Sequence, residues 1–326
     1  MINTYLPEGL ILGSSQNREL LSMGKAGLER AMSQGIIMEG NVLLCDGNLN
    51  LHVDLHGIVG IIPKNEVCYC RDGDEIKDIA VITRVGKSVC FKVMSIEEKN
   101  GKTVAYLSRR EAQKECKFNY IDGLIPGDII RSRVTHLENF GAFVDIGCGI
   151  VSLLSVDCIS VSRFSHPKDR LYSGMVINSV VKFIDPEKDR IFVSMRELLG
   201  TWEENARQFS PGQTVAGIIR SVESYGIFVE LAPNLAGLAE FRDDIPFLGD
   251  KEPGGRMAAV YIKSIIPERM KIKLVLIDSY KGDAASPELR YFVDCDKVKH
   301  INYWRYSPLE CSRIIETNFK YLNSTL

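Results

Sequence analysis

The chain contains a long stretch of itself twice. Residues 124–155, LIPGDIIRSRVTHLENFGAFVDIGCGIVSLLS, return about 85 residues later as 209–240, FSPGQTVAGIIRSVESYGIFVELAPNLAGLAE. Pro126-Gly127 fall on Pro211-Gly212, Phe140-Gly141 on Tyr225-Gly226, and Phe143-Val144 on Phe228-Val229. Ser152-Leu153 fall on Gly237-Leu238. Self-similarity at a fixed offset means a repeat architecture, so the chain folds as tandem copies of one unit. A third, more divergent copy precedes them. Its ending Leu107-Ser108-Arg109-Arg110-Glu111 rhymes with Val193-Ser194-Met195-Arg196-Glu197.

Each copy reads as short alternating strands separated by turn residues. In the first, runs at 36–62 are broken by Asp46-Gly47-Asn48 and His56-Gly57, and a hairpin follows with Lys99-Asn100-Gly101 at its turn. Five short strands with a longer third connection suit a small closed barrel. The expected organisation is an N-terminal arm and helix (1–35), a divergent barrel (36–111), a second barrel (124–196), a helical linker (197–209), a third barrel (210–280) and a C-terminal extension (281–326). The N-terminal helix is expected over 15–34, with Gly35 as its cap. The extension is expected to be α/β, with a strand at 289–294. A helix should start at Ser307-Pro308-Leu309-Glu310, an N-cap, a first-turn proline and a capping-box glutamate. Leu309, Ile315, Phe319 and Leu322 would give that helix its buried face.

Composition excludes more than it assigns. The chain carries a net charge of −2, and each barrel has nearly equal numbers of basic and acidic side chains. A basic surface must therefore come from the placement of a few Lys and Arg on one face. The start has no basic, apolar signal pattern, and no apolar run is long enough to span a bilayer, so a cytoplasmic protein with no membrane partner is expected. Nine scattered cysteines fit reduced thiols. Cys68-Tyr69-Cys70 lacks the second ligand pair a zinc site needs, so it reads as small buried residues, and neither metal nor cofactor is expected. No nucleophile–base pair or phosphate-cradling loop stands out, which argues against an enzyme.

The chemistry gathers on the repeated aromatic-Gly-x-aromatic. Side chains alternate across a strand. Phe143 would share a side with Asp145, which suggests solvent, and Phe140 would stand beside it. Exposed rings stack on nucleobases at about 1–3 kcal/mol per base. Tyr225, Phe228 and Glu230 repeat the pattern. Basic residues are spaced around the rings: Arg131, Arg133 and Arg190 in the second barrel, and Arg220, Lys263 and Lys271 in the third. Such a surface would neutralise phosphates and stack bases together.

These strings, with DPEKDRIFVSMRE and TWEENARQFSPGQTVAG, resemble the S1 domain, the RNA-binding OB-fold module of the bacterial ribosomal protein S1-like family. The resemblance covers about 230 residues and implies a mainly β chain of three tandem S1-type OB-fold barrels. It implies an RNA site of two aromatics on the second strand, a third-strand residue that is often His, and an Asp and Arg at the last hairpin. Phe140, Phe143, Asp185 and Arg190 match, with Ser155 in place of the His. Tyr225, Phe228 and Lys271 match in the third barrel, where Ile266 and Glu240 replace the Asp and the His. In the first barrel Asn48, Leu49 and Leu51 stand where the aromatics would be.

The expected function is a non-enzymatic, monomeric protein that holds single-stranded RNA, mRNA in particular, during translation, with the 30S subunit as an implied partner. The alternative is a protein-docking module of an RNA decay, transcription or ribosome-maturation complex. The dense Tyr303, Trp304 and Tyr306 are expected to pack on the third barrel, with docking or RNA stacking as the alternatives.

Overall fold

The computed structural model describes residues 5–70, 75–240, 255–280 and 289–320. These form two compact units. One comprises the described residues up to 124 with 131–133 and 145–151, and the other comprises 125–130, 134–144 and the described residues from 152 onward. The chain is mainly β, and its sheets close into three five-stranded barrels.

In the first barrel β1 (Met38–Cys45), β2 (Leu51–Leu55), β3 (Ile58–Ile62), β4 (Ser88–Lys99) and β5 (Lys102–Ser108) close in the order β1-β2-β3-β5-β4. Only the β3–β5 pair is parallel. That pair needs the long third connection seen in the sequence, because parallel neighbours cannot be joined by a tight turn. Val42, Val53, Phe91 and Leu107 fill the interior. The expected single N-terminal helix is two, α1 (Ser15–Ser22) and α2 (Lys25–Gln34). Gly24 breaks it at φ 58° and ψ −131°, a conformation outside the right-handed helical region. Leu20, Leu28 and Ala31 pack into the barrel's core, and Gly35 caps α2 at φ 64°. Two further helices, α3 (Asp78–Ile82) and α4 (Arg109–Asn119), belong to this unit. The ending of the first copy, residues 107–111, spans both the close of β5 and the start of α4. Ser108 serves as both, closing β5 and accepting the Glu111 amide proton at 2.9 Å as the helix cap.

The second barrel joins β6 (Ile129–Glu138), β7 (Gly141–Asp145), β8 (Val151–Ser155), β9 (Val176–Asp185) and β10 (Arg190–Ser194), with the one-turn α5 (Val156–Ile159) after β8. The helical linker contains α6 (Trp202–Ala206), entered through a capping box between Thr201 and Glu204. Trp202 anchors it in the core of the third barrel. That barrel consists of β11 (Thr214–Glu223), β12 (Gly226–Ala232), β13 (Leu235–Glu240), β14 (Met257–Ile266) and β15 (Lys271–Tyr280).

Two expectations for the extension are corrected. Residues 289–294 form no strand. Instead the Tyr291 hydroxyl accepts the Asn178 amide proton at 3.0 Å, and the Phe292 amide donates to Leu198 at 2.9 Å. Residues 307–315 form no helix. The Ser307 hydroxyl accepts from the amide of Ile315, eight residues on, and so closes a loop between β16 (Tyr303–Arg305) and β17 (Glu316–Asn318). The capping signature is present, but burying Trp304 and Tyr306 with the third barrel's core and Phe319 with Ile129, Val180 and Leu198 outweighs it. Burial of one such ring is worth about 1.5–3 kcal/mol, against about 1 kcal/mol for a helix cap. Leu322 lies outside the described residues.

A buried ion network joins the second and third barrels. Arg170, fully buried, pairs with Glu230, which also takes the Arg220 guanidinium at 2.7 Å, and Arg220 reaches Asp169 at 3.5 Å. Removing one partner of a buried pair leaves the other uncompensated. Both tryptophans of the chain, Trp202 and Trp304, lie in the third barrel's core, so their fluorescence reports on this region. Arg170→Ala is expected to lower the denaturant midpoint of that signal, at a cost of about 3 kcal/mol. An unchanged midpoint would show that the network does not hold the barrels.

Candidate nucleic-acid interface

In the second barrel Phe140 precedes β7 and Phe143 lies within it. Their rings meet edge to face, centroids 6.0 Å apart at 88°, with Phe140 54% exposed. Tyr225 and Phe228 repeat the geometry at 6.1 Å and 90°, with Tyr225 64% exposed. Edge-to-face packing lets each pair hold its own shape while one ring face of the exposed member stays open. A further residue, which the sequence motifs did not single out, is His136. It lies near the end of β6, stacks nearly parallel on Phe143 at 6.5 Å and 17°, and is held by Glu138 at 2.7 Å.

Register shows what surrounds these rings. In the third barrel Phe228 pairs with Leu238, Leu238 with Lys273, and Lys273 with Ser264, one line across four strands. In the second, Phe192 pairs with Leu153 and with Phe183. Gly141 lies against Leu154 and Ser155, which sets Phe143 opposite Leu153. The Phe183 and Phe192 rings approach to 5.9 Å, so this line carries three aromatics. In the first barrel the same line is His52, Ile61, Tyr106 and Ser95. Gly60 and Gly237 fix the correspondence. Each sits where an added Cβ would strike a core leucine at 2.5 Å, Leu107 or Leu274. The first barrel's counterparts of the aromatic pair are therefore Leu49 and His52, one residue beyond the alignment that put Asn48 and Leu51 there. His52 points its ring nitrogen at Asp46, 3.3 Å away.

The basic residues divide. Arg190 is exposed at the start of β10 and pairs in register with Asp185, whose carboxylate accepts the Lys188 amide proton at 3.0 Å. Arg131, Lys271 and Lys273 are exposed. Lys263 is exposed and 3.7 Å from Glu240. Ser155 is half-buried and bonds Asp157 through its hydroxyl. Arg220, expected to face phosphates, is only 7% exposed and is spent on Glu230 and Asp169. Arg133 donates to the Glu8 carbonyl at 2.5 Å.

Asp145 is also corrected. It does not face solvent beside Phe143 but is buried, and it accepts the backbone N–H groups of Glu8 (2.7 Å), Gly147 (2.8 Å) and Gly149 (3.0 Å). Glu230 is likewise buried. Phe143 is half-buried on the outward line, so it is its register that places it there. Around Asp145, Glu8 binds Arg109 at 2.6 and 3.0 Å, while Glu39 accepts the Gly9 and Leu12 amides. Burial, with the Glu8 charge behind it, pushes Asp145 up to about 8 against its backbone bonds. Burial pushes Glu39 up to about 7.

Residues 124–196 match the family model of the S1 RNA binding domain. The match covers the second barrel. The chain is 30% identical over 210 residues to small ribosomal subunit protein bS1 of Staphylococcus haemolyticus, covering 62% of this chain and 52% of the relative. The Rickettsia conorii bS1 is 29% identical over 232 residues, covering 68% of this chain and 39% of the relative. The chain thus spans about half the length, or less, of these relatives. A Streptococcus pneumoniae multidomain protein with nucleic acid binding domains aligns over 74% of this chain and 73% of its own, at 18% identity and a TM-score of 0.23. Among the described residues no helix is long and apolar enough to cross a membrane, and no group of three or more His, Cys, Asp or Glu is placed to hold a metal ion.

Glu39 and Asp145 hold their protons more tightly folded than unfolded. Their contribution to stability is full below the ordinary carboxylate range near pH 4. It declines as pH rises, through about 7 for Glu39 and about 8 for Asp145. The urea midpoint of the first unit, followed by circular dichroism, is expected to be lower at about pH 8.5 than at about pH 5.5. Glu39→Gln should flatten that dependence. An equal or higher midpoint at the alkaline end contradicts the assignment.

Proposed function

We propose that this protein holds single-stranded RNA, mRNA in particular, and acts in translation as a non-enzymatic cytoplasmic monomer that engages the 30S subunit. The observation that carries this reading is the pair of edge-to-face ring sets, Phe140–Phe143 and Tyr225–Phe228, at the same place in two barrels of one chain. Rings left exposed forgo about 1.5–3 kcal/mol of burial each, and base stacking recovers a similar amount. The S1 match over 124–196 and the bS1 relatives support it.

The rings take the bases. Arg131, Arg190, Lys263 and Lys271 take phosphates, and Lys273 joins them from the outward line of the third barrel. Asp185 and Ser155 supply polar contacts at the rim of the second. Arg220 holds Glu230 and takes no part. Stacking tolerates any base, so binding should favour unstructured RNA with little sequence preference and weaken with salt. Two weak barrels on one chain raise each other's effective concentration, so the pair binds more tightly than either alone.

The second reading, protein docking in a decay, transcription or maturation complex, is favoured by the first barrel. There Leu43, Leu44, Ile79 and Ile82 are 48–64% exposed and only His52 and Tyr106 are aromatic on the outward line. Fluorescence anisotropy with a poly-pyrimidine RNA separates the two. Phe143→Ala should weaken binding about tenfold, consistent with about 1–3 kcal/mol per stacked base, and adding Phe228→Ala should weaken it further. Unchanged affinity in the double variant would overturn the RNA reading and put protein docking first.

A further inference from the structure

Cys68-Tyr69-Cys70 does not read as buried small residues once folded. Both thiols are half-buried, and their sulfurs face each other at 3.4 Å in the segment after β3. The backbone is held just before Cys68 and between the two cysteines. Arg109 donates to the Val67 carbonyl at 2.9 Å, and the Tyr69 amide donates to Gln113 at 2.9 Å. The other seven thiols differ. Cys90, Cys116, Cys148, Cys158 and Cys311 are buried. Cys45 and Cys295, half-buried like the pair, turn their sulfurs to backbone carbonyls. Two thiols alone do not complete a metal site, and among the described residues no third ligand joins them.

We propose that Cys68 and Cys70 form a reversible dithiol–disulfide site, oxidised by low-molecular-weight disulfides of the glutathione type. Closing the bond needs the sulfurs to approach from 3.4 Å to about 2.05 Å. Burial and the bond to Cys70 push the Cys68 thiol up to about 11, so Cys68 keeps its proton and Cys70 attacks first. The Cys70 thiolate attacks one sulfur of R–S–S–R, forming a Cys70–S–S–R mixed disulfide and releasing RS⁻. Cys68 then gives its proton to solvent and attacks the Cys70 sulfur, forming the Cys68–Cys70 bond and releasing the second RS⁻. Each leaving thiolate takes up a proton. The protein loses two protons and two electrons, and R–S–S–R becomes two RSH. A bridge spanning a single intervening residue, partly exposed, belongs to the labile class that a reductant readily reopens.

The test uses the full chain equilibrated in glutathione buffers of rising oxidised fraction, quenched in acid, alkylated and read by peptide mass spectrometry. The expected result is a peptide carrying both Cys68 and Cys70 that is two hydrogens lighter and unalkylated, while Cys45 and Cys295 are alkylated. Dithiothreitol should restore both thiols. Alkylation of Cys68 and Cys70 to the same extent as Cys45 and Cys295 in every buffer overturns the proposal, as does stable glutathione on either one in the unaltered chain. Cys68→Ser should trap glutathione on Cys70, and Cys70→Ser should acquire it on Cys68 more slowly. Equal rates would overturn the order of attack.

Discussion

A closed five-stranded barrel leaves no strand free to slip. Every strand is paired on both sides, and alternation sends each residue either into the core or outward. One register therefore fixes the line Phe143–Leu153–Phe192–Phe183 in the second barrel and Phe228–Leu238–Lys273–Ser264 in the third. The same line in the first barrel is His52–Ile61–Tyr106–Ser95. The scaffold repeats while its outward residues vary. The second barrel is the most aromatic and the third replaces a ring with a lysine. The first keeps only a histidine and a tyrosine.

Charge follows the same division. The chain is close to neutral, so its cations matter by position. Arg170 and Arg220 close a buried network on Glu230, and Arg109 closes another on Glu8. Buried, paired cations such as these are held inside the protein and cannot meet a phosphate. Arg131, Arg190, Lys263, Lys271 and Lys273 are exposed, and it is to these that the proposed function gives the phosphates.

The repeat, the five-stranded barrels and the ring pairs were legible in the sequence because they depend on local alternation and on turn residues. What the sequence hid was tertiary. Arg220 and Arg190 look alike along the chain, yet one meets the buried Glu230 on a neighbouring strand and the half-buried Asp169 from a loop about 50 residues earlier, and the other meets solvent. Asp145 reads as a surface charge until three backbone amides are found on it. Ser307-Pro308 carries a sound helix signal that the burial of Trp304, Tyr306 and Phe319 overrides. His136 could have been found by its position opposite Phe143 across the β6–β7 hairpin, and His52 by aligning Gly60 with Gly237 rather than the turns.

The central claim is that nucleobases sit on the outward rings of the second barrel. Ultraviolet crosslinking of the full chain to a short oligouridylate, followed by peptide mass spectrometry, tests it most directly. The account predicts adducts on Phe140, Phe143 or the adjoining His136, with weaker adducts around Tyr225 and Phe228. Adducts confined to the first barrel or to the C-terminal extension, with none on these rings, would contradict it.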